Sequence, residues 1–352
     1  MLRYLILVVV LVPYSCLSQQ SKIVYPGSSW EPVGNLIEID WNKDSLDKLR
    51  SFIIDSTHAT GVVVIQSGKV LFDYGDTRET SYLASCRKSV LSMLYGPFVQ
   101  NKTLSLSATL AQLNIDDVGG LLSIERNATV KDLLTARSGV YHPASNEGDA
   151  SAMAPKRGSV EPGSFWLYNN WDFNVAGYIL EQATGRTIYQ LIDSILAKPL
   201  QMQDWNINEQ RRGGDSSRSK YLAYHMWFST RDMARIGYLM LRKGKWNGKQ
   251  IIPADWIRTI TSVVSTNKEA VKAKTAYFQF GYGYLWWTWD EPYNKGAYEG
   301  AYSATGAFGQ FITVFPKLDL VVAFKTKYEY GRQTPTDVYL KVLDKLIASK
   351  KQ

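Results

Sequence analysis

Cysteine and histidine are scarce in this chain, which has two cysteines and three histidines among 352 residues. Cys16 lies in a segment that we predict to be a cleaved leader, so only Cys86 would remain and no intramolecular disulfide is predicted. The fold must then be held by its apolar core, which the 45% hydrophobic residues can supply. His58, His142 and His225 are widely spaced and show no metal-ligand pattern, so we expect neither a metal site nor a cofactor.

Long apolar runs are lacking as well, and the run near the N terminus, residues 5–12, is too short to span a membrane. Because Arg3 precedes it, this run is typical of a secretory signal peptide. We predict that residues 1–18 are removed and that the protein is secreted or periplasmic. Attachment of a lipid to Cys16 stays open as an alternative, although residues 13–15 make a poor lipoprotein signal.

Concentrated charge is the third feature that the sequence lacks. The net charge is +8, but the basic residues are scattered, and the short pairs at 211–212 and 242–243 are typical of a solvated surface. We therefore expect no nucleic-acid partner, and nothing in the sequence indicates an oligomeric state. The chain also has no Gly-x-Ser-x-Gly string, which argues against the nucleophile elbow of an α/β-hydrolase.

The order of strand and helix patterns indicates an α+β fold. A hairpin of residues 61–74, turning at 67–68, follows an amphipathic helix at 45–56, and strand patterns return only near the C terminus. Further helices are predicted at 129–136, 172–184, 188–197, 229–242 and 335–346, and late strands at 283–287, 309–315 and 320–324.

These patterns predict how the mature chain is divided into domains. Residues 19–105 and 255–352 would form one mostly antiparallel sheet flanked by helices, with an all-helical domain of residues 106–254 inserted between them. A functional site is expected in the cleft between the two units.

Ser85 and Lys88 are the strongest candidates for chemistry. If a helix begins near Ser85, the spacing of three residues places the lysine amine on the same face as the serine hydroxyl. A serine beside a lysine that accepts its proton is a nucleophile with its own base. The string Ser-x-x-Lys is weak alone, because it also occurs at 45–48, 217–220 and 265–268, but only Ser85 opens an apolar run. The structural alternative is an N-capping serine followed by a solvated lysine.

A second element lies at residues 165–173, after the turn signal Glu-Pro-Gly-Ser. Here Tyr168 and Asn170 precede an apolar helix. We predict that the Tyr168 hydroxyl completes a proton relay with Ser85 and Lys88, and that the Asn170 amide holds the lysine or the substrate carbonyl. The alternative is a surface turn with an asparagine cap.

A third element is the small-residue segment 301–310, which leads into a strand. Small residues allow the backbone to approach a ligand closely, so an edge-strand amide here is predicted to form an oxyanion hole with the Ser85 amide. Ser303 and Gly306 are candidate substrate contacts. The alternative is an ordinary glycine-rich bend into a strand.

Together the three elements resemble the serine β-lactamase and penicillin-binding-protein superfamily, in the branch with class C-type β-lactamases, family VIII-like esterases, D-aminopeptidases and nylon-oligomer hydrolases. Ser85-x-x-Lys88 is similar to the nucleophile motif and Tyr168-x-Asn170 to the second motif, in the expected order. The resemblance covers most of the mature chain and implies a mostly antiparallel sheet flanked by helices plus a helical domain. Further similar stretches lie at 132–139, 162–165, 229–237 and 306–316.

One departure from the superfamily concerns its Lys-Thr-Gly motif, which lies on the strand beside the nucleophile. Alignment back from residues 308–309 places residues 301–303 there, without a cation, and places the oxyanion amide at Ala304. In the superfamily that lysine binds the carboxylate of β-lactams and peptidoglycan stems. The resemblance therefore implies ester or amide substrates that lack this carboxylate.

The predicted function is that of a secreted serine hydrolase that forms an acyl-enzyme on Ser85. Lys88, helped by Tyr168, would take the serine proton, and Tyr168 would protonate the leaving group. The expected substrates are small-molecule esters or amides, or small molecules derived from the cell wall.

Three alternatives stay open. The fold also suits a catalytically weak penicillin-binding or sensor protein for cell-wall or glycan ligands, whose groove some of the eleven tryptophans would line, while most of them are expected in the core. A true β-lactamase is the second alternative, and a lipase-like role is the third, although no amphipathic lid stands out. In each case Tyr141, His225 and the loop 140–158 are candidates for contact with the ligand.

Overall fold

Strands from the two ends of the chain form the central sheet of the computed structural model, which describes residues 23–146, 148, 152–272 and 280–351. The strands of these residues are β1 (Gly61–Gln66), β2 (Lys69–Gly75), β3 (Ser81–Tyr82), β4 (Arg211–Gly213), β5 (Ala223–His225), β6 (Trp227–Phe228), β7 (Lys245–Trp246), β8 (Lys249–Gln250), β9 (Gly281–Tyr282), β10 (Trp287–Thr288), β11 (Tyr302–Gly306), β12 (Gln310–Phe315) and β13 (Leu320–Lys325). Seven of them pair antiparallel in the order β2-β1-β13-β12-β11-β10-β9. The predicted sheet of early and late strands is confirmed.

Helices cover both faces of this sheet. The helices of the described residues are α1 (Lys43–Ser56), α2 (Cys86–Gln100), α3 (Val130–Leu134), α4 (Asn170–Thr184), α5 (Ile188–Leu191), α6 (Lys198–Leu200), α7 (Thr230–Leu241), α8 (Ala254–Ile260), α9 (Asn267–Lys272) and α10 (Thr336–Ala348). On one face, the Tyr339 ring of α10 stacks on Phe311 with ring centroids 3.9 Å apart. On the other, α7 packs so closely that a Cβ added to Gly237 would lie 2.4 Å from Val321 Cγ1. Both faces are thus dry, which explains the continuous apolar sequences of β1, β12 and β13.

The N-terminal predictions concern residues that the structure does not describe. The proposed signal peptide, residues 1–18, and Cys16 within it lie outside the described residues. Cleavage, secretion and lipid attachment therefore stay predictions. Within the described ranges, no helix combines the length and the apolar character needed to cross a membrane.

The predicted strand at residues 283–287 is wrong, because most of this segment forms the turn between β9 and β10. The Gly283 N–H donates to Trp286 O at 2.9 Å, and Leu285 has φ 63°. Gly283 packs on the end of α8, since an added Cβ would lie 2.5 Å from Ile260 O. Backbone contacts from elsewhere in the chain set this turn, so the strand propensity of its aromatic residues gave the wrong answer.

The inserted segment, residues 106–254, is not all-helical as predicted. β4 pairs with β5 and β7 with β8 inside it, and β6 pairs with β3 outside it. The helix α7 also belongs to this segment by sequence, yet it packs on the sheet through Gly237, which faces Ile312 and Val321. Its apolar face is covered by the strands, so this helix of the inserted segment contributes to the packing of the sheet. The domain boundaries stay predictions.

Candidate active site

Burial separates the four Ser-x-x-Lys strings of the chain. Lys88 is 2% exposed, whereas the lysines of the other three strings, Lys48, Lys220 and Lys268, are exposed. The Lys88 amine lies 3.1 Å from Ser85 Oγ. Because burying a lysine is costly unless the site compensates for it, the string at Ser85 is the one with the features of a functional pair.

Ser85 begins α2 without capping it. The residue occupies the N-cap position with φ −76° and ψ −10°, but its side chain makes no capping hydrogen bond. The hydroxyl is therefore available to Lys88, and the N-capping alternative does not hold. Ala84, directly before it, has φ 48°, a left-handed conformation that costs a residue with a side chain about 1–3 kcal/mol. Strain of this kind next to a nucleophile is typical of functional sites.

Three neutral groups surround the amine of Lys88. Its Nζ lies 3.1 Å from Ser85 Oγ, 2.8 Å from the Tyr168 hydroxyl and 2.7 Å from Asn170 Oδ1. The ring centroids of Tyr168 and Phe173 lie 4.1 and 4.5 Å from it. Burial first, and then the charge of the neighbouring Arg87, lowers the pKa of Lys88 well below its usual range. The site therefore favours the unprotonated amine.

An unprotonated Lys88 determines the direction of these hydrogen bonds. The neutral amine has two hydrogens and one lone pair, and Asn170 Oδ1 can only accept, so it takes one hydrogen. The hydroxyls of Ser85 and Tyr168 can each donate to the lone pair. The amine is thus placed to accept the serine proton, either directly or through the tyrosine.

Tyr168 is held in place by aromatic packing. Its ring stacks on Trp287 with centroids 5.5 Å apart and lies 4.8 Å from the Phe173 ring. The preceding residue is tied down by a hydrogen bond from Leu167 N–H to Ala136 O of 2.9 Å. Burial raises the pKa of Tyr168 above its usual value, so the hydroxyl keeps its proton at neutral pH.

Asn170 links the amine to the loop that precedes α4. Its Oδ1 accepts from Lys88, and its Nδ2 donates to Asn146 O at 2.9 Å. With both ends of the amide engaged, the oxygen is directed at the lysine. The structure thus brings together the four residues Ser85, Lys88, Tyr168 and Asn170 that the sequence analysis selected.

β11 passes beside the nucleophile at Gly306. A Cβ added there would lie 3.0 Å from Ser85 N and 2.8 Å from Leu83 O. Ala304-Thr305-Gly306 matches two residues of Lys-Thr-Gly and lies beside the nucleophile, as that motif does. The alignment that placed residues 301–303 there is therefore wrong by three residues, because a gapped glycine-rich stretch gives no register. The cation is still missing, since Ala304 stands in the place of the lysine.

The pairing of β11 also bears on the oxyanion amide. Within the described ranges β10 pairs with β11 only at Tyr302 and Ser303, so the rest of that edge has no pairing strand. Trp289 N–H donates to Ala301 O at 3.0 Å, which means that odd-numbered residues of β11 turn their backbone groups to this edge. Ala304 is opposite Ile312 and turns its amide to β12, so it is not the donor that we predicted. Of the amides that this alternation turns to the edge beyond β10, those of Thr305 and Ala307, that of Ala307 directly follows Ala304-Thr305-Gly306 and is the candidate donor.

Gly306→Ala is expected to lower kcat about 100-fold and the free energy of unfolding by about 1–3 kcal/mol. The new methyl group would meet backbone atoms of Leu83 and Ser85, which cannot move aside without separating β11 from the start of α2. Gly34→Ala is the matched control, because a Cβ at Gly34 meets nothing within 4 Å. Esterase kinetics and thermal unfolding of both variants check the prediction, and an unchanged kcat in Gly306→Ala would remove Gly306 from the site.

Ser303 does not contact the site as predicted. Its Oγ lies 2.9 Å from Trp289 Nε1 and 2.9 Å from Thr313 Oγ1, and Thr313 in turn bonds Tyr339 of α10. The residue is odd-numbered, and its side chain therefore points to the α10 face of the sheet, away from α2. It has a structural role there.

Tyr141 lies beside the central residues. It lines a cavity of about 110 Å³ together with Tyr168 and Asn170. Its hydroxyl is buried, has no hydrogen-bond partner among the described residues, and keeps its proton because burial raises its pKa. A contact of Tyr141 with substrate stays a prediction that this position suits.

His225, another candidate contact of the sequence analysis, lies next to Tyr82. Its Nδ1 is 3.0 Å from the Tyr82 hydroxyl. Burial, then the charges of Arg87 and Arg211, lowers the pKa of His225 to about 4, so it is neutral at pH 7. Sequence reasoning selected His225 but missed Tyr82 and Arg87. The position of Arg87 directly before Lys88 was the available signal.

Fold and site together define a serine hydrolase: an antiparallel sheet bears a nucleophile with a buried amine as its neighbour. The chain belongs to the beta-lactamase family, whose model matches residues 53–344. A curated relative, an uncharacterized protein of Alkalihalophilus pseudofirmus, is 25% identical over 260 residues, which cover 68% of this chain and 71% of the relative.

Solved structures show the same fold. A protein of Bacillus anthracis described as a 6-aminohexanoate-dimer hydrolase superimposes with a TM-score of 0.66 at 20% identity, covering 91% of this chain and 86% of that one. EstCE1, described as a hydrolase with promiscuous acyltransferase activity, gives a TM-score of 0.61 at 16% identity, covering 86% and 97%. At such identities the likeness is one of fold.

Proposed function

We propose that this protein hydrolyses small esters or amides through an acyl-enzyme on Ser85. The observation that carries the proposal is the buried amine of Lys88, which lies within 3.1 Å of Ser85 Oγ among neutral partners. An amine kept unprotonated in this way serves as the base for the serine.

The first half of the reaction forms the acyl-enzyme. Ser85 Oγ attacks the carbonyl carbon while its proton passes to Lys88, directly or through Tyr168. The amides of Ser85 and Ala307 hold the oxyanion, where one donor is typically worth about 10²- to 10³-fold in rate. Collapse of the tetrahedral intermediate breaks the bond to the leaving group, which takes the proton from Tyr168 as Lys88 reprotonates the tyrosine.

The second half of the reaction releases the acyl group. A water molecule gives a proton to the Tyr168 and Lys88 pair as its oxygen attacks the ester carbonyl. The bond to Ser85 Oγ breaks and the serine recovers a proton, so the site returns to its starting state. Both halves use the same short path between two hydroxyls and one amine.

The substrates are expected to lack a carboxylate next to the scissile bond. Ala304 stands where a Lys-Thr-Gly motif has its lysine, and its apolar side chain gives no counter-charge. Proteins of the same fold include one described as a 6-aminohexanoate-dimer hydrolase and EstCE1, described as a hydrolase with promiscuous acyltransferase activity, and both descriptions are compatible with acyl transfer. For this chain we expect uncharged esters to be better substrates than amides. An uncharged ester requires no carboxylate-binding site, and its leaving group is less basic than the amine that an amide releases.

A matched substrate series tests this proposal. We expect hydrolysis of phenyl acetate and p-nitrophenyl butyrate, and a kcat/KM for 3-carboxyphenyl acetate no higher than that for phenyl acetate. The kcat/KM for a chromogenic cephalosporin should be at least about 10- to 100-fold lower than for the esters, which is the value of a missing charge-assisted contact. A D-amino-acid anilide in the same series distinguishes amidase from esterase activity. Faster turnover of the cephalosporin than of the esters would favour a β-lactamase, and acylation without release would favour a sensor.

A further inference from the structure

Arg87 is a buried basic residue that lies between Ser85 and Lys88 in the sequence. It follows Ser85 by two positions on α2 and precedes Lys88, and its side chain is 2% exposed. Its Nε and Nη1 atoms are buried without a hydrogen-bond partner among the described residues. Buried arginines normally pair with carboxylates, but no ion pair of the described residues includes Arg87.

Among the described residues, the surroundings of Arg87 offer its charge no carboxylate partner. The guanidinium carbon lies 4.8 Å from the centroid of the Tyr224 ring, and the Tyr224 hydroxyl is itself buried without a partner in the described part of the chain. The titratable groups that feel its charge are Tyr82 near the start of α2, Tyr168 before α4, Tyr189 of α5 and Tyr224 and His225 of β5.

The charged residues nearby have partners of their own. Arg212 pairs with Glu181 of α4, and Arg211 stacks over the Trp227 ring at 4.0 Å. Glu329 accepts from the backbone N–H of Tyr82 at the rim. No ion pair in the described part of the chain joins Arg87 to Glu181 or Glu329. The Arg87 guanidinium therefore lies in a dry region of the structure, on the residue directly before Lys88.

We propose that Arg87 is a fixed positive charge that keeps Lys88 unprotonated, and that it acts on the reaction as a positioning residue without touching the substrate. This inference rests on the proposed function, in which Lys88 is the base. Two like charges in a low-dielectric interior repel each other, and arginine does not release its proton in proteins. The proton is therefore lost from Lys88. The direction of the lysine pKa agrees, since Arg87 is its second cause after burial.

Burying the Arg87 guanidinium without a partner costs stability, and its effect on Lys88 explains why the site keeps it. An unpaired buried guanidinium destabilises the fold, and a neutral side chain of similar shape would not. The loss of stability from burying Arg87 is offset in function, because the same charge favours an unprotonated Lys88 at pH 7. An acyl transfer that begins with removal of the serine proton requires this free amine. The same charge opposes the burial effect on Tyr168, lowering the pKa that burial raises.

The test measures the pKa of Lys88 in the full-length protein with ¹⁵N-labelled lysine, following the Nζ signal that disappears in Lys88→Met. Arg87→Gln removes the charge and is expected to raise this pKa by about one unit, the effect of a unit charge at roughly 10 Å with an effective dielectric constant of about 20. Arg87→Lys keeps a cation and is the matched control, with a smaller rise. The acid limb of kcat/KM for p-nitrophenyl butyrate is expected to move to higher pH by the same amount in Arg87→Gln.

A second pair of variants keeps Arg87 in place and so covers the case in which Arg87→Gln does not fold. Tyr189→Glu brings a carboxylate near the guanidinium and is expected to raise the pKa of Lys88, whereas Tyr189→Gln, its neutral control, is not. A Lys88 pKa that is the same in Arg87→Gln and Arg87→Lys, or in the two Tyr189 variants, overturns the inference. Failure of the proposed function would show differently, as absent ester hydrolysis by the wild type, and the NMR titration would still decide the role of Arg87.

Discussion

Ser85→Ala is expected to lower kcat for p-nitrophenyl butyrate by about 10⁴-fold or more, as for removal of the nucleophile in other serine hydrolases. Cys86, the residue after Ser85, is not placed to substitute for it. The thiol of Cys86 is buried and donates to Gln310 O at 3.2 Å, on the side of α2 away from Lys88. Burial also raises the pKa of this thiol, which keeps it protonated and unreactive.

The fold of Ser85→Ala is expected to survive, because the serine side chain makes no capping hydrogen bond. Its thermal unfolding midpoint should match that of the wild type. Ser217→Ala is the control, since Ser217 belongs to another Ser-x-x-Lys string, at the surface, where its hydroxyl bonds Asp215. Loss of activity in Ser217→Ala, or its retention in Ser85→Ala, would contradict the assignment of the nucleophile.

Lys88→Met is expected to lower kcat/KM by about 10²- to 10⁴-fold, the value of general base catalysis. Methionine fills the space between the Tyr168 and Phe173 rings that the lysine stem now occupies. The residual rate should also lose the acid limb of its pH profile. The sign follows from the depressed pKa of Lys88: activity requires the free amine and so rises as the pH passes upward through that pKa.

The controls for Lys88→Met separate catalysis from folding. Lys220→Met, in an exposed string, should leave both rate and pH profile unchanged. Thermal unfolding of Lys88→Met should be near that of the wild type, because the gain from burying a thioether offsets the hydrogen bond lost by Asn170. An acid limb that persists in Lys88→Met would show that another group supplies the base.

The fold was predictable where local pattern and burial agree. β1 and β13 are apolar along their full length because helices cover both faces, and the amphipathic pattern of 229–242 marked α7 within a residue or two. The segment 283–287 failed because its turn depends on the contact of Gly283 with Ile260, which no local window contains. The role of α7 as a cover for the sheet depends on the same kind of distant contact.

The site was predictable as far as side-chain chemistry is specific. The spacing of Ser85 and Lys88 and the pair Tyr168 and Asn170 identified the residues that the structure brings within hydrogen-bond distance. The register of the oxyanion strand β11 was not predictable from the sequence, because its small residues give no alternating pattern. An error of an odd number of residues in this register turns every amide to the other edge of the strand. Ala304 was the wrong donor for that reason.

The role of Ser303 was missed for a related cause. Its hydroxyl faces Thr313 and Trp289, and only the pairing of β11 shows which face of the sheet that is.

Arg87 was missed because a basic residue beside a lysine is typical of a solvated helix surface. Its burial, and the absence of a carboxylate near it in the described ranges, are visible only in three dimensions.

The most direct test of the central claim is a mass spectrum of the protein during turnover. Wild-type protein quenched in acid while it hydrolyses p-nitrophenyl butyrate should carry one added butyryl group, mapped by peptide sequencing to Ser85, and Ser85→Ala should carry none. A butyryl group on another residue would contradict the acyl-enzyme account. So would an active wild type that carries no butyryl group and whose Ser85 is also not labelled by a fluorophosphonate.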